Sequence, residues 1–179
     1  SVGEANAIAA KTAGVVTATI SEEDVTTLLT LTDSQVNAYT ITITDPTATA
    51  EDLNTINGKT SVVVDATAVE TISGSLAELL AATDDQLTLD TAANVILMVT
   101  DAGTETLLAT DLSTLGGRTT GTVTVSNAVT ISGSAAQVTA ALVTADTLVV
   151  AATAKVSISG NTSVGEANAI AAKTAGVVT

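Results

Sequence analysis

Residues 1–17, SVGEANAIAAKTAGVVT, recur without a single change as residues 163–179, a displacement of 162 positions. An unchanged duplication of this length points to a tandem array, with residues 1–162 as one full unit and 163–179 as the start of the next. The alternative is an engineered overlap.

The unit divides further. Glu4–Thr12, Asp52–Thr60 and Asp111–Thr119 share one pattern, and Glu166–Thr174 repeats the first of them. The pattern runs acid, apolar, Asn or Ser, small, Ile or Leu, two small residues, base, Thr. Four of the five basic residues (Lys11, Lys59, Arg118 and Lys173) occupy its base position. The spacings are 48, 59 and 55, which set pseudo-repeats of about 1–48, 49–107 and 108–162.

A second series interleaves with the first. Ser21-x-x-Asp24, Ser75-x-x-Glu78 and Ser134-x-x-Gln137 each precede an apolar stretch and read as helix N-caps. Between the helical signals lie strand signals. Val16–Ile20, Thr40–Thr44 and Thr122–Val125 alternate apolar residues with threonine, the period of a strand with one buried face. Val62–Val64 and Val95–Val99 are continuous apolar runs, expected where both faces are covered. Shorter strands are expected at Val69–Ile72, Ala128–Ile131 and Val156–Ile158.

Strand, turn and short helix recurring about every 27 residues predict a β-rich α/β solenoid of stacked parallel strands, six coils per 162-residue unit. One such unit would advance about 29 Å at a strand spacing of about 4.8 Å. A helix is about twice as thick as that spacing, so helices on every coil would splay the stack. The alternation of two helix series, which would let like helices meet every second coil, favours a straight or gently twisted rod.

Composition suits narrow repeating layers. Hydrophobic residues make 46% of the chain, but the only aromatic is Tyr39. Thr (36) and Ala (32) together exceed a third of the 179 residues. With no Cys there are no disulfides, thiolate metal sites or cysteine nucleophiles. With no His there is no Ser-His-Asp triad and no imidazole ligand. A net charge of −14 makes nucleic acid and anionic lipid poor partners. A mean hydropathy of +0.50 argues for a packed core rather than disorder. The longest apolar run, Val95–Val99, is far shorter than a membrane span. No signal segment opens the sequence, so secretion is not read from a leader.

The phrases SVGEANAIAAKTAGVVTATIS (1–21), TAEDLNTINGKTSVVVDATAV (49–69) and TISGSAAQVTAAL (130–142) resemble the tandem-repeat regions of very large bacterial surface proteins. Among these are the "beta strand repeat" proteins of cyanobacteria and other aquatic bacteria. The resemblance covers essentially the whole chain. It implies an extracellular or cell-surface location and a structural, adhesive or matrix role, and no catalytic residue. The sequence departs from its own pattern at Leu108, where Ser1, Thr49 and Ser163 supply the cap in the other copies.

Each chemical candidate competes with a plainer reading. Asp84, Asp85 and Asp90 resemble a sugar-cleaving carboxylate cluster, but they fall at expected turns, where Asp is common for backbone reasons. Calcium is the one cofactor considered, with Asp33, Asp45, Asp84, Asp85 and Asp101 as its neighbourhoods. Neither the glycine-rich calcium repeat nor the EF-hand loop is present. Thr17/Thr19, Thr40/Thr42/Thr44 and Thr122/Thr124 resemble ice-binding ranks, but Val63, Asp65 and Met98 interrupt them. The base column is expected to pair with carboxylates of neighbouring coils or with the last carbonyls of its own helices. The Asn column (Asn6, Asn54, Asn168) is expected to form a ladder. No catalytic, cofactor-binding or metal residue is assigned.

The expectation is a structural repeat of an extracellular filament or matrix fibre. Its partners are identical repeats of the same chain or neighbouring subunits. The alternative is the stalk of a surface adhesin whose binding tip lies outside this segment.

Overall fold

A computed structural model of the chain describes residues 1–32, 37–84, 88–144 and 149–179. It is an α/β protein of short helices and parallel strands. It divides into two compact units, Ser1–Ile72 with Ala81–Ala92, and Ser73–Leu80 with Ala93–Thr179.

The first unit opens with α1 (Val2–Ala9) and β1 (Thr17–Thr19), followed by α2 (Val25–Leu28), β2 (Ala38–Thr40), β3 (Thr47–Thr49), α3 (Ala50–Asn57) and β4 (Val64–Ala66). β5 (Thr71–Gly74) and α4 (Leu76–Asp84) come next, and β6 (Leu89–Thr91) returns to the first unit. β1 pairs in parallel with β2, Thr17 opposite Ala38. Single bridges then join Asn37 to Thr60 and Thr42 to Asp65. β4 pairs in parallel with β6, Val64 opposite Leu89. Tyr39, Ile41, Ile43, Val64 and Leu89 point inward and are buried. Leu28, Leu53 and Ile56 from the helices are buried as well.

The second unit contains β7 (Ile96–Val99), β8 (Thr106–Leu108), α5 (Ala109–Gly116), β9 (Val123–Val125), β10 (Thr130–Ser134), α6 (Ala135–Leu142), β11 (Val149–Val150), β12 (Lys155–Ser159) and α7 (Val164–Ala171). Two parallel ladders run through it. In one, Leu97 faces Val123, which faces Val149. In the other, Leu107 faces Ile131, which faces Val156. Both rows are buried, and like apolar residues stack from strand to strand.

The parallel pairs span similar but unequal lengths of chain, from 21 residues (Thr17 with Ala38) to 26 (Leu97 with Val123). Thr106 lies opposite Thr130, Thr130 opposite Lys155 and Leu97 opposite Val123. Each strand therefore hydrogen-bonds to the segment one short lap of chain away. Side chains at matching places in the lap meet, so small and β-branched residues fill the layers without strain.

Local signals set the helix starts. Ser1, Ser134 and Ser163 form full capping boxes with Glu4, Gln137 and Glu166. Ser75 and Glu78 form another, with Ser75 N–H donating to Glu78 at 2.8 Å and Glu78 N–H to the Ser75 hydroxyl at 3.3 Å. Thr49 caps α3 through the Asp52 N–H. Leu108 stands at the cap of α5 with no side-chain bond, yet the helix begins at the same place in the pattern. Burial of Ala109, Leu112 and Leu115 fixes that start in place of the cap.

Three expectations need correction. Ser21 does not cap α2. Asp24 does, three residues closer to the apolar stretch, accepting from Thr27 N–H at 2.8 Å; the shorter carboxylate is itself a good cap. The runs Val62–Val64 and Val95–Val99 are not covered on both faces. Val63, Ile96 and Met98 are exposed while Val64, Leu97 and Val99 are buried, so the side chains alternate between an open and a covered face. The two helix series are also not kept apart, since α6 packs against both α5 and α7.

Candidate functional site

The residues that recur at matching places in each lap act on the neighbouring lap, and the threonine that follows the base is the clearest case. The Thr60 hydroxyl donates to the Tyr39 carbonyl at 2.6 Å. Its oxygen accepts from Tyr39 N–H at 2.9 Å and Val62 N–H at 3.1 Å. Thr119 donates to the Val95 carbonyl at 2.6 Å and accepts from Gly121 N–H at 2.8 Å. Thr174 donates to the Ala154 carbonyl and accepts from Gly176 N–H at 3.0 Å. The next amide completes each link: Ser61 to Asn37 O, Thr120 to Ala93 O and Ala175 to Ala152 O, at 2.7–2.8 Å. One hydroxyl thus satisfies a carbonyl of the preceding lap and an amide of its own turn, where an apolar side chain would leave both unpaired.

Glycine completes the device. A Cβ at Gly121 would run into the Asn94 and Val95 carbonyls, and one at Gly176 into the Ala154 carbonyl. The turn presses its backbone so closely on the preceding lap that no side chain fits. The sequence pattern contains this signal as Thr119-Thr120-Gly121 and Thr174-Ala175-Gly176.

Carboxylates work in the opposite direction along the chain. Val2 N–H donates to Glu22 at 3.0 Å, Val25 N–H to Asp45 at 2.6 Å and Leu76 N–H to Asp101 at 2.7 Å. Each acid comes from the lap that follows and accepts from the first amide of a helix. That amide has no partner within its helix and lies at the positive end of the dipole. The acidity of the chain is partly spent here.

The same bonds account for several sequence candidates. Asp45 and Asp101, considered for calcium, are these inter-lap acceptors. Asp84 ends α4 and Asp90 lies in β6, while Asp33 and Asp85 lie outside the described residues. Among the described residues no three His, Cys, Asp or Glu side chains converge. Tyr39 is buried and its hydroxyl accepts from Asn37 at 3.0 Å, so it presents no stacking face to a sugar. Thr17, Thr19 and Thr40 are exposed, but Thr124 sits between Met98 and Val150, which breaks the hydroxyl rank.

The base column behaves differently from expectation. Among the described residues no ion pair joins Lys11, Lys59 or Lys173 to a carboxylate. Arg118 donates to the Leu80 carbonyl at 2.7 Å, a carbonyl of α4 rather than of its own helix. Exposed lysine gains little from pairing in water. Within the Asn column, the bonds of Asn6 run to backbone. Asn6 donates to the Thr30 carbonyl and accepts from Thr32 N–H, both at 2.9 Å, so it clasps the backbone of the following lap.

Capping also tunes the acids. The Ser75 backbone N–H, then its hydroxyl, hold the Glu78 carboxyl below its ordinary range. The Thr27 backbone N–H, then its hydroxyl, do the same for Asp24. The Ser163 hydroxyl, then its backbone N–H, do so for Glu166.

Comparison with protein-family models, with curated proteins and with solved structures finds no match for this chain. Among the described residues no helix is long and apolar enough to cross a membrane.

Proposed function

We propose that this chain is a structural repeat of an extracellular filament or matrix fibre, built as a β-rich α/β solenoid whose coils stack along one axis. The observation that carries this reading is that parallel pairs recur at separations of 21 to 26 residues, as Thr17 with Ala38, Thr106 with Thr130, Thr130 with Lys155 and Leu97 with Val123. A chain that pairs each lap with the next can be extended without a new core. The bonds of Thr60, Thr119 and Asp101 support the same reading, because they run between laps rather than toward a shared cleft. On this reading the protein is not an enzyme, its partners are further copies of itself, and it works at the cell surface.

Electron microscopy of the native material tests the proposal. It should reveal thin, unbranched fibres with an axial strand spacing of about 4.8 Å. Compact particles would overturn it. Denaturing gels then separate one giant chain, of very high mass, from subunits near the mass of one repeat. Protease treatment of intact cells tests the location, since a surface fibre is shaved off while an internal protein survives.

A further inference from the structure

The second unit contains an open sheet edge in the interior of the chain. β8 ends its three-stranded ladder, with β10 on one side and no strand on the other. One lap before Thr106, at the separation of Thr106 from Thr130, the chain forms α4 rather than a strand. Thr130 N–H donates to the Glu105 carbonyl at 2.9 Å. In a parallel ladder this register turns the backbone of Leu107 toward β10 and the backbone of Thr106 and Leu108 away from it. Among the described residues, the Thr106 N–H and carbonyl and the Leu108 N–H make no hydrogen bond.

An apolar groove of about 220 Å³ opens at this edge, with room for an aliphatic side chain. Leu76 and Leu80 of α4 line it together with Leu107 and Leu108 of β8. Leu108 is 54% exposed, and it stands where Thr49 caps α3 but gives α5 no side-chain cap. The helix gains nothing from this leucine, whereas the groove gains an aliphatic wall. Asp101 and Asp111 complete the lining, and Glu105 is exposed next to Thr106. No basic residue lines the groove, and among the described residues none of these three acids is in an ion pair.

We infer that the β8 edge and its groove are a docking site for an extended segment of another protein that carries aliphatic residues among lysines or arginines. Its backbone adds a strand to the free groups of Thr106 and Leu108. An aliphatic side chain fills the groove. Lysine or arginine lays its apolar stem along the wall and brings its charge to Asp101 and Asp111. A second copy of this chain is a poor occupant, because it brings a net charge of −14 to an acidic rim. The partner is additional to the stacked copies of the proposed filament and does not rest on that reading.

Titration of the purified chain with a synthetic heptapeptide of alternating lysine and valine, followed by nuclear magnetic resonance, tests the inference. The amide signals of Thr106 and Leu108 should move. They should stay in place with a peptide whose lysines are replaced by glutamate. Thr106→Pro removes the outward N–H and spares the bonds to β10, a placement that edge strands tolerate. It should weaken binding about tenfold or more. Leu108→Ser takes a wall from the groove and supplies a helix cap, so the chain stays folded and binding falls by a similar factor. This second variant decides the outcome if the first does not fold. Equal affinity for the unaltered chain and Leu108→Ser would mean attraction by charge alone and overturns the site. Signal changes confined to other residues overturn it too, as does a lack of binding at millimolar peptide. Self-association of the unaltered chain that Leu108→Ser abolishes would put a second copy in the groove and overturns the stated partner.

Discussion

The hydroxyl of Thr119 lies 2.6 Å from the carbonyl oxygen of Val95, twenty-four residues earlier, and both are buried. A side chain here completes the pairing of two parallel backbone segments at the point where a turn brings them together. Thr60 does the same for Tyr39 at 2.6 Å. Most of the testable consequences follow from this kind of bond.

Thr60→Val should destabilise the chain by about 1–3 kcal/mol, the cost of leaving a buried carbonyl and amide unpaired. Thr60→Ser keeps the hydroxyl and should recover most of the loss. Thr12→Val, at an exposed position, should change stability by less than about 0.5 kcal/mol. Urea unfolding of the three variants checks the order.

Asp101→Ala should cost about 1 kcal/mol, in the range of a lost helix cap, because Leu76 N–H loses its acceptor at 2.7 Å. Glu51→Ala, an exposed acid, should be nearly silent. If the acids merely supplied solubility, the two variants would unfold alike.

Acid should weaken the capping boxes. The Glu78, Glu166 and Asp24 carboxyls are held below their ordinary values, so the unfolded chain takes up protons first as pH falls. Their contribution is present above the unfolded values, about 4, and is lost as pH drops through the lower folded ones. Relief of the −14 net charge acts in the opposite sense. The comparison of Glu78→Gln with the unaltered chain isolates the local effect: the difference in Tm should be full at pH 7 and should close in acid. A difference that stayed constant with pH would remove the carboxylate from the account.

Gly121→Ala should be among the most damaging single changes, since its Cβ meets the Asn94 and Val95 carbonyls, which cannot yield without moving the strand. Gly3→Ala, with nothing within 4 Å, should be tolerated or slightly stabilising, by up to about 1 kcal/mol from helix propensity. Thermal unfolding distinguishes them.

Neighbouring residues of β7 should respond oppositely. Leu97→Ala opens a cavity under the ladder and should cost about 2–5 kcal/mol. Met98→Thr, on the exposed side, should fall within about 0.5 kcal/mol. Equal losses would mean that the outer face is covered after all.

Much of this architecture was legible because it is local. Ser75 and Ser134 announce their helices through Glu78 and Gln137, and the Thr-alternating segment at Thr122–Val125 announces β9. The candidate site was less legible. The column of bases stood out by rarity, yet Lys11 and Lys173 are exposed and Lys59 is half-buried, and the adjacent threonines Thr60, Thr119 and Thr174 hold the laps together. Nothing in a list of residues says which hydroxyl will face an unpaired carbonyl. That depends on the register of a segment some two dozen residues away. The same holds for Asp45 and Asp101, whose acceptor roles are set by the helices they approach.

The two identical segments mark the division most sharply. Sequence by itself determined that residues 2–9 and 164–171 are helices of equal length behind equal capping boxes, because those bonds span only three or four residues. Only the tertiary structure decided that Val2 is covered and Ile8 open in one, and that Ile170 is covered and Val164 open in the other. Burial belongs to a residue and its neighbour together, and these two segments have different neighbours.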